Sequence, residues 1–378
     1  MIIKISKTLV ILLLVLFLSG CWDYKDVDKR SIVIGIGIER IDNKIEFSTE
    51  VAKLKAQIGK KDKRAEITNV YTDAAYGNTF EEAREDYDAR RPYPTFLGAT
   101  RVVIFGTNIA KESIEPYLNR INRMYDYRKT LLPVVSREEP IKLLKIKVEK
   151  DVSVGFLIED NINFLYKNGT TLYPNIGDLL SNIALKKVGY VIPYIGIEQG
   201  SIKYLGLAVM KNSKLIDTIE AQNTDGLLYL LAENPRLTET ISGFKRSDNI
   251  YSFKTILKDR KIKTKYEQDK IIIDIDIELN GQLKYQYYLE PISEKEIDEI
   301  EDIISRKVAD NIKNIIKKSQ KVYKSDIFQF ARYFRADNSK IYQKIDWIEK
   351  YPKAKVNVRV KFNMNNKNLF DPNAKVQH

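Results

Sequence analysis

From Ile271 to Leu279 every odd position is apolar, while Asp274, Asp276 and Glu278 take even ones. Only an extended strand sends successive residues to opposite faces and keeps residues two apart on one face in this way. Such a strand needs an apolar layer beneath it and water above it, so this stretch demands a sheet with one face covered. The cover is legible downstream. Ser293–Ser325 reads as a long helix, preceded by Pro291 and opened by a capping box of Ser293 and Glu296. Ile297, Ile300, Ile304, Val308, Ile312, Ile315, Ser319 and Val322 trace one narrow face of it. Carboxylates crowd its first third and lysines its later part, which suits the helix dipole. Phe328–Phe334 and Trp347 supply aromatics for the same core, and Ala354–Asn363, with Val356, Val358, Val360 and Phe362 alternating, is predicted as a closing strand. The row of carboxylates could suggest calcium. Strand geometry spaces them about 7 Å apart, too far for one ion without ligands from elsewhere, so a solvated outer face is expected.

The first half reads as strands and helices in turn. Ser31–Glu39 is β-branched and apolar, with Gly35 and Gly37 on one face where a neighbour can pack closely. This GxG is no dinucleotide loop, because no third glycine follows and Ile36 and Ile38 continue the strand. Lys44–Ala52 is a second strand after the Asp42-Asn43 turn, and Gln57–Thr68 reads as a polar, basic loop. Thr79-Phe80-Glu81-Glu82 fits a capping box for a helix to about Ala89, which Pro92 and Pro94 end. Arg101–Phe105, Leu131–Val135 and Tyr190–Ile197 are predicted strands. Ile109–Tyr127 is predicted as one helix burying Ile114, Leu118, Ile121 and Tyr125, with further helices at Ile141–Leu144, Val154–Leu165 and Ile176–Leu185. In the second half, Gly206–Met210 and Lys214–Ile219 form a hairpin about Lys211-Asn212-Ser213, Thr224–Ala232 a short helix, and Asn249–Leu257 a strand. The fold class is α+β, a multi-module ectodomain of mixed β-sheets with packed helices.

At 378 residues the chain suits two or three domains of roughly 100–200 residues each. The divisions expected are a leader at 1–20, an α/β region at 21–199 with room for two subdomains, a second domain at 200–363 and a polar, flexible tail at 364–378. The leader has Lys4 and Lys7 ahead of an apolar run from Leu9 to Leu18, the pattern of a secretory signal peptide and short for a spanning helix. Leu18-Ser19-Gly20-Cys21 then looks like a bacterial lipobox. Small residues admit a peptidase, and the Cys21 thiol is positioned to take a diacylglycerol. Cleavage before Cys21 would leave a chain held to the outer face of a membrane by its acyl groups, each buried methylene contributing about 0.8 kcal/mol.

Cys21 is the single cysteine and His378 the single histidine. No intrachain disulfide, cysteine-rich zinc site, Ser-His-Asp triad or histidine-ligated metal is available. We assign no catalytic, cofactor or metal residue. The adjacent pairs Glu81-Glu82 and Glu138-Glu139 are chain neighbours and so do not flank one bond as glycosidase carboxylates must. The formal net charge is +12, or +10 after loss of the leader, with +2 in 21–199 and +8 in 200–378. Basic residues are interspersed with acidic ones and no aromatic-basic motif appears, so nucleic acid is not an expected partner.

Several segments, taken in order, resemble the Ger(x)C family of spore-germination lipoproteins. They begin with Cys21-Trp22-Asp23, Asp28 and Arg30 leading into Val33-Ile34-Gly35-Ile36-Gly37-Ile38. Thr79-Phe80-Glu81-Glu82-Ala83, Arg101-Val102-Val103-Ile104-Phe105-Gly106 and Pro116-Tyr117-Leu118 with Arg123 and Arg128 follow. Gly206-Leu207-Ala208-Val209-Met210-Lys211, Lys214-Leu215 and Gly226-Leu227-Leu228 are similar to the start of the family's C-terminal domain. Asp326-Ile327-Phe328 and Trp347 fall at its aspartate-aromatic and tryptophan positions. Met210 stands where an aromatic is expected, and Glu39 where the family has aspartate. The resemblance implies a lipid-anchored, non-enzymatic subunit of a germinant receptor in the spore inner membrane, partnered by two integral-membrane subunits. The rival reading is a lipid-anchored solute-binding protein, which needs paired lobes around a polar cleft; no doubled pattern is visible.

Overall fold

A computed structural model of the chain describes residues 29–55, 66–149 and 151–366. Its first sheet is built around β1 (Ser31–Ile41), which is apolar on both faces and therefore stable only with both covered. β1 pairs antiparallel with β2 (Lys44–Lys55), and β2 with β3 (Glu66–Gly77). The short β4 (Thr95–Phe96) lies parallel to the first residues of β1. On the other side β5 (Val102–Gly106), β6 (Leu132–Ser136) and β7 (Tyr190–Glu198) follow in parallel. β8 (Ser201–Lys211) and β9 (Lys214–Glu220) complete the sheet as an antiparallel meander.

Helices α1 (Phe80–Asp88), α2 (Thr107–Glu112) and α3 (Glu115–Arg123) cover one face, against Val33, Ile36, Ile38, Val103 and Phe105. α4 (Pro140–Leu144) and α5 (Val154–Lys167) cover the other, against Val102, Ile104, Leu132 and Val134. α6 (Ile176–Leu185) returns to the first face. Gly37 lies under α4, where a Cβ would overlap Pro140 and the Ser48 hydroxyl, so the close packing expected at this glycine is met.

The second sheet has the order β10 (Arg236–Ser242), β11 (Ile250–Glu267), β12 (Lys270–Gln286), β13 (Lys355–Asn366). The first three strands are antiparallel, and β13 closes parallel to β12. α7 (Asp225–Leu231), α8 (Glu294–Lys318) and α9 (Phe330–Asp337) belong to the core on its inner face, with Ile271, Ile273, Ile275, Ile277 and Leu279 buried against Ile300, Ile304, Val308 and Ile312. Val191, Leu207 and Val209, from β7 and β8, join this same cluster, so the two sheets share apolar core. The turn at Gln199-Gly200, where the sequence reading divides the chain, joins β7 to β8 inside the first sheet.

Several local expectations change. The polar stretch read as a loop to Thr68 gives way to β3 from Glu66, and β10 was not foreseen. The long helix at Ile109–Tyr127 is two helices, because the chain breaks at Ser113 and Pro116 opens the second. Tyr125 falls beyond α3 and is 98% exposed rather than buried. At the end of α8 a π-helical turn, Ser319–Tyr323, shifts the phase of the apolar face. Tyr323 is buried at 3% exposure, while Val322, expected inside, is 65% exposed.

Candidate functional site

Cys21, the assigned lipidation site, and His378 lie outside the described residues. Among the described residues no helix is long and apolar enough to cross a membrane, and no group of three or more histidine, cysteine, aspartate or glutamate side chains is arranged to hold a metal. The paired carboxylates singled out in the sequence are separately engaged. Glu81 pairs with Arg120, and Glu82 accepts from the Asn78 amide. Glu138 pairs with Arg137, and Glu139 with Lys142. On β12, Asp274 accepts from Asn357, Asp276 pairs with Arg359, and Glu278 pairs with Lys258.

The first hairpin holds three deeply buried carboxylates, of which the sequence reading named only Glu39, as a departure from the family's aspartate, and passed over Glu46 and Glu50. Glu50 accepts from the Val154 and Gly155 amides at 2.7 and 2.8 Å, so it caps the N-terminus of α5 beside Ser153. Glu39 takes the Ile109 amide of α2 at 2.9 Å and its neighbour Arg40's at 2.7 Å. Glu46 accepts from the Tyr76 hydroxyl at 2.9 Å. Burial pushes the carboxyl of each above its usual range, against the pull of these donors. A buried acid opposite open helix amides satisfies groups that the helix cannot satisfy itself. Glu39 sits in an otherwise apolar strand, which is a signal, but Glu46 and Glu50 share a face of β2 with Lys44 and Ser48 and read as solvent residues, and the helices that Glu39 and Glu50 serve are distant in sequence.

The other polar centre is Asp326, 1% exposed, at the seam between the sheets. Its Oδ1 accepts from the Phe328 and Phe330 amides at 3.2 and 3.1 Å. Its Oδ2 accepts from the Ala331 amide at 2.8 Å and the Trp347 indole at 3.1 Å. Burial raises its carboxyl to about 6, while the four donors pull the other way. Around it the aromatic rings of Phe334, Tyr342, Trp347 and Tyr351 pack together, Trp347 stacked on Tyr351 and the other pairs tilted. The same segment ties the halves together. The Gly189 amide at the entry to β7 donates to the Asp326 carbonyl at 3.0 Å, and Arg332 donates to Ser181 and Asn182 of α6. A Cβ on Gly189 would overlap the Met210 carbonyl, so the seam requires glycine there. Asp326, Phe328 and Trp347, brought out by the resemblance, are thus gathered in one cluster.

Residues 23–197 match the N-terminal domain of spore germination proteins, and residues 205–368 match the C-terminal domain described as spore germination B3/GerAC-like. The chain belongs to the GerAC-like family of spore germination proteins. It is 22% identical to spore germination protein B3 of Bacillus subtilis (strain 168), over 90% of this chain and 91% of that one. It is likewise 22% identical to spore germination protein YndF of the same organism, over 94% and 95%. Spore germination protein GerQC of Bacillus cereus is 23% identical over 89% and 88%. The crystal structure of the GerBC protein superimposes with a TM-score of 0.58 at 17% identity, covering 90% of this chain and all of that one, so the family's fold is shared.

Proposed function

We propose that this protein is the lipid-anchored, non-enzymatic subunit of a nutrient germinant receptor, held on the outer face of the spore inner membrane beside two integral-membrane subunits. The observation that carries the reading is the lone cysteine. In a chain of this family, Cys21 stands at the one place where a Leu-Ser-Gly-Cys signal needs it. The polar centres support a scaffold role, because Glu39, Glu50 and Asp326 are buried and taken up by amides rather than open to a substrate. An acyl anchor raises the effective concentration of the ectodomain near membrane partners, to about the millimolar range for a short tether, so weak contacts suffice for assembly.

The test is made in spores. Cys21→Ala should abolish acyl labelling and leave an unprocessed precursor. Loss of the protein should block the response to a particular set of nutrients, while a receptor-independent trigger still works. Unchanged labelling would remove the anchor. Micromolar binding of a nutrient to the isolated chain would favour the solute-binding reading instead.

A further inference from the structure

β1 begins at Ser31, the tenth residue after Cys21. At full extension ten residues reach about 35 Å, so the start of β1 stays within that distance of the proposed acyl anchor. β4, β5 and β6 run parallel to β1 and therefore begin at the same end of the sheet, where antiparallel β2 finishes. Backbone bonds join these beginnings. The Arg101 amide donates to the Ile34 carbonyl at 2.8 Å, and the Leu132 amide donates to the Arg101 carbonyl at 3.1 Å. α2 and α3 carry the chain back from the end of β5 to the start of β6. The loop of residues 124–131 thus lies at this end too, two strands or about 10 Å along the sheet from β1.

This end carries exposed tyrosine and basic side chains together. Beside β1, Lys29 is exposed, Arg30 lies 5.1 Å over the Phe96 ring, and Tyr93, whose carbonyl accepts from the Ser31 hydroxyl, is 46% exposed. On the loop, Tyr125 stands in solvent between Arg123 and the pair Arg128-Lys129. Those three basic residues are exposed and make no ion pair among the described residues. Asp126 is the loop's one carboxylate, and Glu159, nearby, is engaged by Arg101 at 3.5 Å. At the far end of the same sheet the basic residues Arg40, Arg137, Lys142 and Lys203 are each paired, with Glu112, Glu138, Glu139 and Glu198. The loop's charge, by contrast, is open to a partner.

We propose that this end of the first sheet is the face on which the anchored chain rests against an anionic phospholipid surface, with Tyr125 and Tyr93 at headgroup level and Arg123, Arg128 and Lys129 against the phosphates. The proposal rests on the acyl anchor argued above and adds to it the side that meets the bilayer. Tyrosine suits that position because its ring is apolar and its hydroxyl is wet. Basic residues are drawn to anionic headgroups only within about a Debye length, roughly 8–10 Å, and a short tether supplies that closeness.

The test uses the lone cysteine. Thr130→Cys adds a thiol on the exposed loop, and an acylated Cys21 has none, so a thiol-reactive fluorophore should load once per chain. Loading twice means that Cys21 is free, which overturns the anchor and this proposal with it. The labelled chain is reconstituted in vesicles of phosphatidylcholine, alone or mixed with phosphatidylglycerol, each carrying a lipid with a nitroxide on its headgroup. We expect quenching about threefold stronger on the anionic vesicles, with the difference lost at high salt. Arg128→Glu with Lys129→Glu should abolish the difference, and Tyr125→Ser should reduce it. Lys340→Glu with Lys344→Glu, the same charge change in the other half, should leave it intact. A reporter placed by Lys203→Cys at the far end should show no difference between the vesicles. Equal quenching of the loop on both vesicles of a singly labelled chain, or a difference that survives the loop's charge reversal, overturns this proposal and leaves the anchor standing. Quenching found only in membranes that also hold integral subunits assigns the face to a protein partner and overturns it too.

Discussion

The two sheets handle their carboxylates in opposite ways. In the first, Glu39, Glu46 and Glu50 lie inside, on strands covered on both faces, and two of them are joined to helix amides. In the second, Asp274, Asp276 and Glu278 lie on the open face of β12 and meet asparagine, arginine and lysine side chains. Burial raises the carboxyl of Glu50, while the guanidinium of Arg359 lowers that of Asp276 and the ammonium of Lys258 lowers that of Glu278. The difference teaches that an acid's effect on stability follows what it replaces. Inside, it stands in for water at helix amides that would otherwise be unpaired. Outside, it exchanges one well-solvated state for another.

The strongest test of this contrast is the seam. Asp326→Ala leaves four donors without an acceptor and opens space under Trp347, at about 1–3 kcal/mol for each unmet group before relaxation. We expect it to be the most destabilising of these substitutions, at 4 kcal/mol or more by that order of magnitude. Denaturant unfolding that finds a cost under about 1 kcal/mol would show that water replaces the carboxylate there.

Glu50 comes next. Glu50→Ala should cost about 2–4 kcal/mol, through two orphaned amides at the start of α5. Glu50→Gln keeps one acceptor, removes the buried charge, and should remain within about 1 kcal/mol of the parent at neutral pH. The pH dependence separates the two effects. Because the folded carboxyl is raised, its contribution is fully present below the unfolded value and is lost as pH rises through the folded one. Melting curves of the parent should therefore show a decline over that window which Glu50→Gln lacks; parallel curves would contradict the assignment.

The smallest effect is expected on the open face. Arg359→Ala removes the pair with Asp276, and the melting temperature at ordinary salt should not change measurably. The sign here is reversed. A lowered carboxyl contributes above its unfolded value and loses that contribution as pH falls through the folded one, so any difference from the parent should fade in acid. A large effect at neutral pH would erase the contrast between the sheets.

Much of this architecture was legible. The alternation at Ile271–Leu279, the Thr79 N-cap, the capping box of Ser293 and the β8–β9 turn at Asn212-Ser213 are local patterns, and local geometry answers to them, though at Thr79 the box is only half made because Glu82 accepts from the Asn78 amide. What escaped depended on contacts distant in sequence. β10 is short and alternates Leu237, Glu239 and Ile241 inward, and Glu239 reads as a solvent residue until Lys307 and Tyr229 are beside it. The break at Ser113 is explained by the Ile114 amide donating to the Ser213 carbonyl, about a hundred residues away. At the seam, Trp347 was legible as a core aromatic, but Asp326 came through resemblance alone, since no spacing rule makes an aspartate twenty-one residues upstream accept from an indole.

The parallel pairing of β13 with β12 has a consequence for the order in which the molecule can be made. Asp274 and Asn357 meet across 83 residues, and the closing strand ends only at Asn366. A chain delivered N-terminus first can complete the helix-covered sheet while the rest is still emerging. Its second sheet, by contrast, must keep one edge of β12 open until β13 has been made, well after α8 is available to cover the apolar side. Such waiting is slow and prone to wrong pairing, because a loop of this length must close before any contact rewards it. The row of acids on β12 keeps the other side of that waiting strand charged, and charge is what discourages a second chain from adding to an unpaired edge.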